Sequence, residues 1–484
     1  MTPRKVFLIG TGPLPMDNPR EMSFPSLRTR QFLLALLRAG HDVMLACLIP
    51  READRDVRAT GEAAPGEPVD LKIQTGQGTA RFRYVVVRPD EPGRFLMLRD
   101  LRREYRPDVT VTAGPFLPMA AGARAAGDEP LWVDVPGDPM SEAQARAHRA
   151  GSADPIHRYR EMLGWALARG DAFSVISDAQ RGLLVGALGL AGRLTAETVG
   201  HEFVRVLPGC VEGLIEWDRP KHKVGLGPLP DAFPALKKDD FVVLFCGGYN
   251  TWLDGDTMLD GLLRAMDRNP KLRYVSTGGA LRRHDESSYR AFVQRAQSSD
   301  HNHRFHFLGW VPGDTLPTIF SRAHLCLFID LPCYEAEFGA RTRILEALER
   351  NVPVAATNSC DLTEELMNAG LFHALPTGNP EAVAELLVEL AERHASGDPV
   401  SLQQNTIPWK ALRDRYSIDA TTEALLTWVE EPERSPGGVA IDFLEDYWQE
   451  LAQLQDRLEE VWNSPTWRYL GRGHRLFSRL RNKD

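Results

Sequence analysis

The sequence predicts an α/β protein of two doubly wound domains facing a cleft, each a mostly parallel sheet with helices on both faces, followed by a helical extension. Three observations predict it. A chain of 484 residues exceeds what one core organises, because single cores stop growing near about 250–300 residues. Short β-rich runs alternate with helical patterns along most of its length, the mark of strand–helix–strand crossovers. The alternation falters once, between Leu207 and Lys238, in a stretch rich in Pro, Gly and Lys.

In order, the first series reads "KVFLIG", a helix around Leu27 to Ala39, "HDVMLACL", "RFRYVVVR", "DVTVTA", "PLWVDV", a helix near His157 to Ala168, "AFSVIS" and a helix from Ala179. The apolar runs are short and bounded by breakers, as buried strands are. The expected boundaries are a first domain over 1–208, a linker over 209–238 and a second domain over 239–400. The second series is "FVVLFCGG", "LRYVSTGG", "HRFHFLGW", "AHLCLFID", "VPVAAT" and "LFHALP", with a helix near Pro380 to Arg393 closing it. Terminal helices over 401–430 follow. Residues 431–484 form a breaker-rich linker, "EEPERSPGGVA", a heptad helix and a basic tail. In the heptad segment, 441–462, Leu444, Tyr447, Leu451, Leu454, Leu458 and Val461 keep alternating three- and four-residue spacings. That seam suits a short coiled coil, hence a homodimer, and equally an amphipathic helix packed on the body. The tail carries six Lys/Arg against one Asp, interleaved with Trp467, Tyr469, Leu470 and Phe477, a pattern that suits an anionic membrane surface.

Composition narrows the function. Hydrophobic residues make up 43% and charged residues 25%, and 57 basic against 66 acidic residues give a net charge of -9, which disfavours a nucleic-acid partner. The six cysteines form no CxxC pair and read as small core residues of a reduced, cytoplasmic protein. The four-residue apolar run near the start is too short for a signal peptide, and no segment approaches eighteen apolar residues.

Chemistry concentrates where strands end. "CYEAEFGARTRILEAL", Cys333 to Leu348, sets Glu337, Gly339, Arg341, Arg343 and Glu346 at the start of a helix whose apolar side is Ile344, Leu345 and Leu348. Free N–H groups, the helix dipole and a planar arginine fork suit a phosphorylated ligand. The same residues also fit an amphipathic helix with a solvated charged face. "LIGTGPLP" places Gly10 and Gly12 after the first strand, but Pro15 stands where a dinucleotide fingerprint needs its third glycine, so a cleft-lining loop is expected. In "GGYNTWLDGDTM", Gly247, Gly248 and Asn250 form the strand-end turn, while Asp254 and Asp256 resemble a metal-binding DxD and equally a helix cap. "HNHRFH" fits a strand entry better than a metal site. In "DVPGDPMSEAQ", Asp138 and Glu142 sit one helical turn apart if Pro139 starts a helix; they line the cleft or merely cap.

Taken in order, "LIGTGPLP" with "LRTRQFLLALLRAGHDV", "VLPGCVEG", "LFCGGYN", "HFLGWVPGDTLPTIFSRAHLCL" and "EFGARTRILEALERNVPVAAT" resemble the retaining GT-B glycosyltransferases of glycosyltransferase family 4, over roughly Lys5 to Val429. The resemblance implies two Rossmann-like domains, with residues 401–430 crossing back. It implies transfer of a sugar from a nucleotide-sugar donor, UDP- or GDP-linked, with retention of configuration and no tightly held metal or cofactor. Glu346 resembles the family glutamate that accepts from ribose hydroxyls, and Glu337 the one that contacts the donor sugar; the spacing between them is one residue longer than the family pattern, and Glu335 is a rival. Backbone from Gly339 through Ala340 and Arg341 to Thr342 would meet the diphosphate, with Gly10, Gly12, Gly247, Gly248, Asn250, Gly278, Trp310 and Val311 as further donor-side candidates. The Arg and Lys usual after the first strand of the second domain are absent, so Arg341 or Arg343 is expected to supply that charge. A family histidine is also absent, and Asp138 lies nearest its place; Glu337, Asp138 and Arg341 are the catalytic candidates. On the acceptor side stand Glu142, Arg28, Arg30 and the loop from Pro13 to Pro25. The expected role is building a cell-surface glycan, or its lipid-linked precursor, on the inner face of the cytoplasmic membrane. The alternatives are a catalytically silent scaffold with the same fold and a sugar-nucleotide epimerase.

Overall fold

The computed structural model describes residues 2–17, 21, 23–50, 64–90, 93–210, 233–281, 285–339, 341–398 and 407–436, with scattered residues between 453 and 464. The first domain holds strands β1 (Lys5–Thr11), β2 (Asp42–Leu48), β3 (Val69–Gln74), β4 (Thr79–Val87), β5 (Val109–Thr112), β6 (Leu131–Asp134), β7 (Ala172–Val175) and β8 (Val204–Val206). Its helices are α1 (Phe24–Arg38), α2 (Arg94–Tyr105), α3 (Leu117–Ala125), α4 (Pro139–Ala150), α5 (Asp154–Arg169) and α6 (Asp178–Leu190). The second contains β9 (Phe241–Gly248), β10 (Leu272–Gly279), β11 (Phe305–Gly309), β12 (Leu325–Phe328), β13 (Val354–Thr357) and β14 (His373–Leu375). Its helices are α7 (Gly255–Arg268), α8 (Ser287–Gln297), α9 (Leu316–Phe320), α10 (Tyr334–Phe338), α11 (Thr342–Glu349), α12 (Asp361–Asn368), α13 (Pro380–Ser396) and α14 (Ile407–Arg415), after which α15 (Ile418–Glu430) ends the body.

The first sheet runs β3-β4-β2-β1-β5-β6-β7-β8 and the second β11-β10-β9-β12-β13-β14. Every pair is parallel except β3 with β4. Strand order reverses beside β1 and beside β9, and open sheets of this kind bind ligands at the carboxyl ends of the strands where it reverses. Covered on both faces, the strands are apolar almost throughout; Val6, Phe7, Leu8 and Ile9 are fully buried, as are Phe241, Val243 and Phe245. Neither β3 nor β8 is among the runs expected from the sequence. "VDLKIQ" in β3 alternates as a half-exposed edge strand should, and β8 is only three residues long.

α1 starts at Ser23, whose side chain accepts from the Ser26 amide. It is buried on nearly every side because β1 lies beneath it and α15 covers it. The chain therefore crosses between domains twice. Leu412 and Tyr416 of α14 belong to the second core, whereas Ile418, Leu425, Trp428 and Val429 of α15 complete the first, with Trp428 against Trp132 at 5.3 Å. Of the expected linker, 211–232 lies outside the described residues, as do Leu444, Tyr447, Leu451 and the basic tail from Pro465 onward. In the heptad segment Leu454, Leu458 and Val461 are more than half exposed, while Asp456 on the opposite side pairs with Arg99 at 3.3 Å and Arg124 at 3.6 Å. These three described seam residues face outward.

Candidate active site in the interdomain cleft

A cavity of about 380 Å³ opens between the carboxyl ends of the two sheets, walled by both domains. The second domain supplies its floor through three strand-end turns. Gly278 is held at φ +97°, and a Cβ there would stand 2.1 Å from the Gly247 carbonyl oxygen, so β9 and β10 approach this closely only because the position is glycine. Gly247, Gly248 and Asn250 follow β9, and Trp310 and Val311 follow β11; all of them line the cavity. Trp310 is pinned by its indole N–H donating to the Ala280 carbonyl at 3.1 Å.

The acid-and-arginine stretch after β12 brings four of its charged side chains, Glu335, Arg341, Arg343 and Glu346, to this cleft and turns Glu337 away. Glu346 lines the cavity, one turn from Arg350, whose Nη2 donates to it at 3.2 Å. Arg343 lines it too, donating Nη1 to the Gly248 carbonyl at 3.3 Å and lying over the rings of Phe245 and Phe328 at 5.4 and 5.6 Å. Burial pushes its guanidinium pKa down, so a further negative partner would be welcome. Arg341 is already committed: Nε donates to Asp330 at 2.5 Å and Nη2 to the Glu335 carbonyl at 2.8 Å. Of the two arginines, the structure thus leaves Arg343 as the one with capacity for phosphate.

Glu337, the expected sugar contact, is exposed and outside the cleft, because the short turn of α10 points it away from the side that Glu335 occupies. Glu335 is 5% exposed, lines the cavity, and has an Oε2 with no hydrogen-bond partner among the described residues. Gly339 makes room for it, since a Cβ there would come within 2.8 Å of Glu335 Oε1 and 2.5 Å of its carbonyl. Thr342 also lines the cavity, and Ala340 lies outside the described residues.

Other expectations meet structural duties. Asp138 caps α4, accepting from the Ser141 amide at 2.8 Å, and it is not on the cavity wall. Arg28 reaches the wall, but its guanidinium is fully buried against Asp134 (2.9 and 2.8 Å), Gln31 (3.0 Å) and the Pro208 carbonyl (2.9 Å). It braces the first domain, where an acceptor contact was expected. Gly10 and Gly12 lie away from the cavity wall; a Cβ on Gly10 would strike Thr29 at 2.3 Å, and one on Gly12 would strike Cys47 at 2.7 Å, so both serve close packing. Asp254 caps α7 and Asp256 pairs with Arg295. Among the described residues no group of three or more His, Cys, Asp or Glu side chains is placed to hold a metal.

Glu142 does line the cavity. The Tyr159 hydroxyl donates to it at 3.1 Å, Arg146 bonds that hydroxyl in turn, and burial pushes the Glu142 carboxyl up to about 7. Neither Tyr159 nor Arg146 stood out in the sequence, nor did Phe116 and Trp252, which also line the cleft. A lone tyrosine in a helix carries no signal until its hydroxyl is placed.

Residues 231–393 match the family described as Glycosyl transferases group 1. Sucrose-phosphate synthase from Thermosynechococcus elongatus superposes with a TM-score of 0.58 at 16% identity, over 88% of this chain and 98% of that one. The fold is GT-B. The Anabaena protein HepE, solved in complex with UDP-glucose, gives 0.56 at 12% identity over 88% of this chain and 99% of its own. A trehalose-6-phosphate structure from E. coli bound with UDP-2-fluoro glucose gives 0.58 at 10% identity, over 89% and 100%. No curated protein matches the chain in sequence.

Proposed function

We propose that the protein is a glycosyltransferase that moves a sugar from a nucleotide-sugar donor to an acceptor in the cleft, with retention of configuration. The observation that carries this reading is the convergence of Glu346, Arg343 and Glu335 on one interdomain cavity at the strand ends of the second sheet. Each fits one part of such a donor. A fixed carboxylate suits the vicinal diol of a ribose, and a guanidinium with spare donors suits a diphosphate that gains charge as it leaves. The buried Glu335 carboxyl suits hydroxyls of the transferred sugar, in the role first given to Glu337. The donors held by similar folds, UDP-glucose and a fluorinated analogue, favour a UDP-sugar, with GDP-sugars next.

The acceptor enters past the first domain, whose wall includes Phe24, Arg30, Phe116 and Glu142. On the strength of the basic, aromatic tail we take the acceptor to be a glycan or lipid-linked glycan at the inner face of the cytoplasmic membrane, in cell-surface polysaccharide synthesis. The outward seam of Leu454, Leu458 and Val461 supports pairing with a second copy. A thermal-shift screen of UDP, GDP and their hexose conjugates tests the central reading. A ligand present at one hundred times its Kd stabilises the fold by about 2.7 kcal/mol. Donor-dependent release of nucleoside diphosphate with an acceptor then separates a transferase from a silent scaffold, and isomerised donor without acceptor marks an epimerase.

A further inference from the structure

Three helix ends from the two domains meet beside the cavity. The first turn of α6, capped by Ser177, belongs to the first domain; the end of α10 and the start of α12 belong to the second. Asp361, in the first turn of α12, accepts from the Ala179 amide at 3.1 Å. An N–H in a first turn has no partner inside its own helix, so α6 is completed from across the cleft.

Gln180 makes the second connection. It is 2% exposed, and its Oε1 accepts from the Gly137 amide at 3.1 Å and the Ile176 amide at 3.2 Å, both residues of the cavity wall. Two N–H donors on one side fix which end of the amide is oxygen. The Nε2 end therefore turns to the second domain, where it donates to the carbonyl of Phe338, the last residue of α10. That carbonyl shares one planar peptide with the Gly339 amide, which donates to the Glu335 carbonyl at 2.9 Å. The Glu335 carbonyl also receives Arg341. A helix of five residues is too short to hold its own phase, and this peptide leads directly into the turn that carries Thr342 and Arg343.

We propose that Gln180 is a positioning residue for the donor site: from the first domain it fixes the Phe338–Gly339 peptide, and so aims Glu335 into the cleft and sets the turn at Thr342 and Arg343. Its effect on ligands rests on the donor reading above; its effect on α10 does not. Gln180 is not itself on the cavity wall. Its place needs an acceptor at one end and a donor at the other, which a carboxylate or an apolar side chain does not supply.

Gln180→Glu isolates the bond between the domains. The residue is the third of α6 after the Ser177 cap, where helices take glutamate readily, and a carboxylate still accepts from Gly137 and Ile176. Only the donor to Phe338 is lost. Three measurements on the full chain read the result: thermal melts, deuterium exchange by mass spectrometry, and calorimetric titration with UDP and GDP. The variant should melt close to wild type while peptides covering 334–343 exchange faster by about 2- to 12-fold, the net worth of one hydrogen bond. Affinity for whichever nucleotide binds should fall by a similar factor. Asp361→Ala, an exposed change on the second domain, removes the neighbouring bond and should shift both readouts the same way, so the test survives if the first variant does not fold. Wild-type exchange over 334–343 in folded Gln180→Glu, or in Asp361→Ala where the former does not fold, overturns the proposal. Faster exchange spread over the whole chain with a lowered melt also overturns it, because Gln180 would then be a structural residue only. Failure of wild type to bind either nucleotide overturns the donor reading instead, and the exchange data still decide whether Gln180 holds α10.

Discussion

Arg343→Met asks the donor site to work without the cation that faces it. The methionine keeps an unbranched stem over Phe245 and Phe328, so packing is largely retained. The protein itself surrenders little: one 3.3 Å bond to the Gly248 carbonyl, while the acid that Arg343 feels, Asp330, is already bonded to Arg341. A diphosphate would lose charge-assisted hydrogen bonds worth about 1.5–3 kcal/mol, or roughly 10- to 150-fold in Kd. Arg341→Met is the contrast. It strips Asp330 of its partner in a setting where the two side chains are 8% and 6% exposed, and breaking a buried pair costs about 3–5 kcal/mol of stability. Calorimetric titration with UDP and GDP, beside thermal melts of the unliganded proteins, reads both quantities. Weak binding with an unchanged melt is expected for Arg343→Met, and a lowered melt for Arg341→Met. Nucleotide affinity equal to wild type in a folded Arg343→Met protein would refute the assignment of this arginine to phosphate.

Glu346→Ala should weaken nucleotide binding by about 1.5–3 kcal/mol through loss of the ribose contact, measured in the same titration. Arg28→Met should lower stability by about 3–5 kcal/mol in denaturant melts, because Asp134 would be left buried without its partner. Gly278→Ala sets a side chain against the Gly247 carbonyl in a left-handed conformation, and should cost at least about 1–3 kcal/mol and most of the donor affinity. Removing residues 465–484 should abolish binding to anionic vesicles, which in the intact protein should weaken with salt, and should leave turnover on a soluble acceptor unchanged. A strongly lowered melt in that truncation, with no vesicle binding by the intact chain, would make the tail structural.

The strands were legible because burial on both faces turns them into short, continuous apolar runs; β9 and β12 are apolar from end to end. Strand β3 was legible in principle, yet its alternation is that of an edge strand among charged neighbours and carries less weight. At the site, the sequence located the right loop and left open which side chains of it point inward. Whether Glu335 or Glu337 faces the cleft depends on where a five-residue helix begins, a matter of one turn's phase that no spacing encodes. The fates of Arg28 and Arg341 were hidden for another reason. Each is decided by an acid distant in sequence, Asp134 lying 106 residues from Arg28 and Asp330 eleven from Arg341, and only the fold brings them together. Asp138 was readable both ways, and the cap is what the structure holds.

The last helix of the body sets a schedule for making the protein. Ile418, Leu425, Trp428 and Val429 of α15 fill the core of the first domain, so that domain remains unfinished until the ribosome has passed Glu430. From Cys210 to Glu430, at about 5–20 residues per second, the delay is roughly 10–45 s. During it the face of α1 and the indole of Trp132 await their cover, and the second domain has time to fold first. The nascent chain thus exposes a sticky first half for nearly half of its synthesis, an opening for chaperones that a GT-B chain ending at α14 would close early.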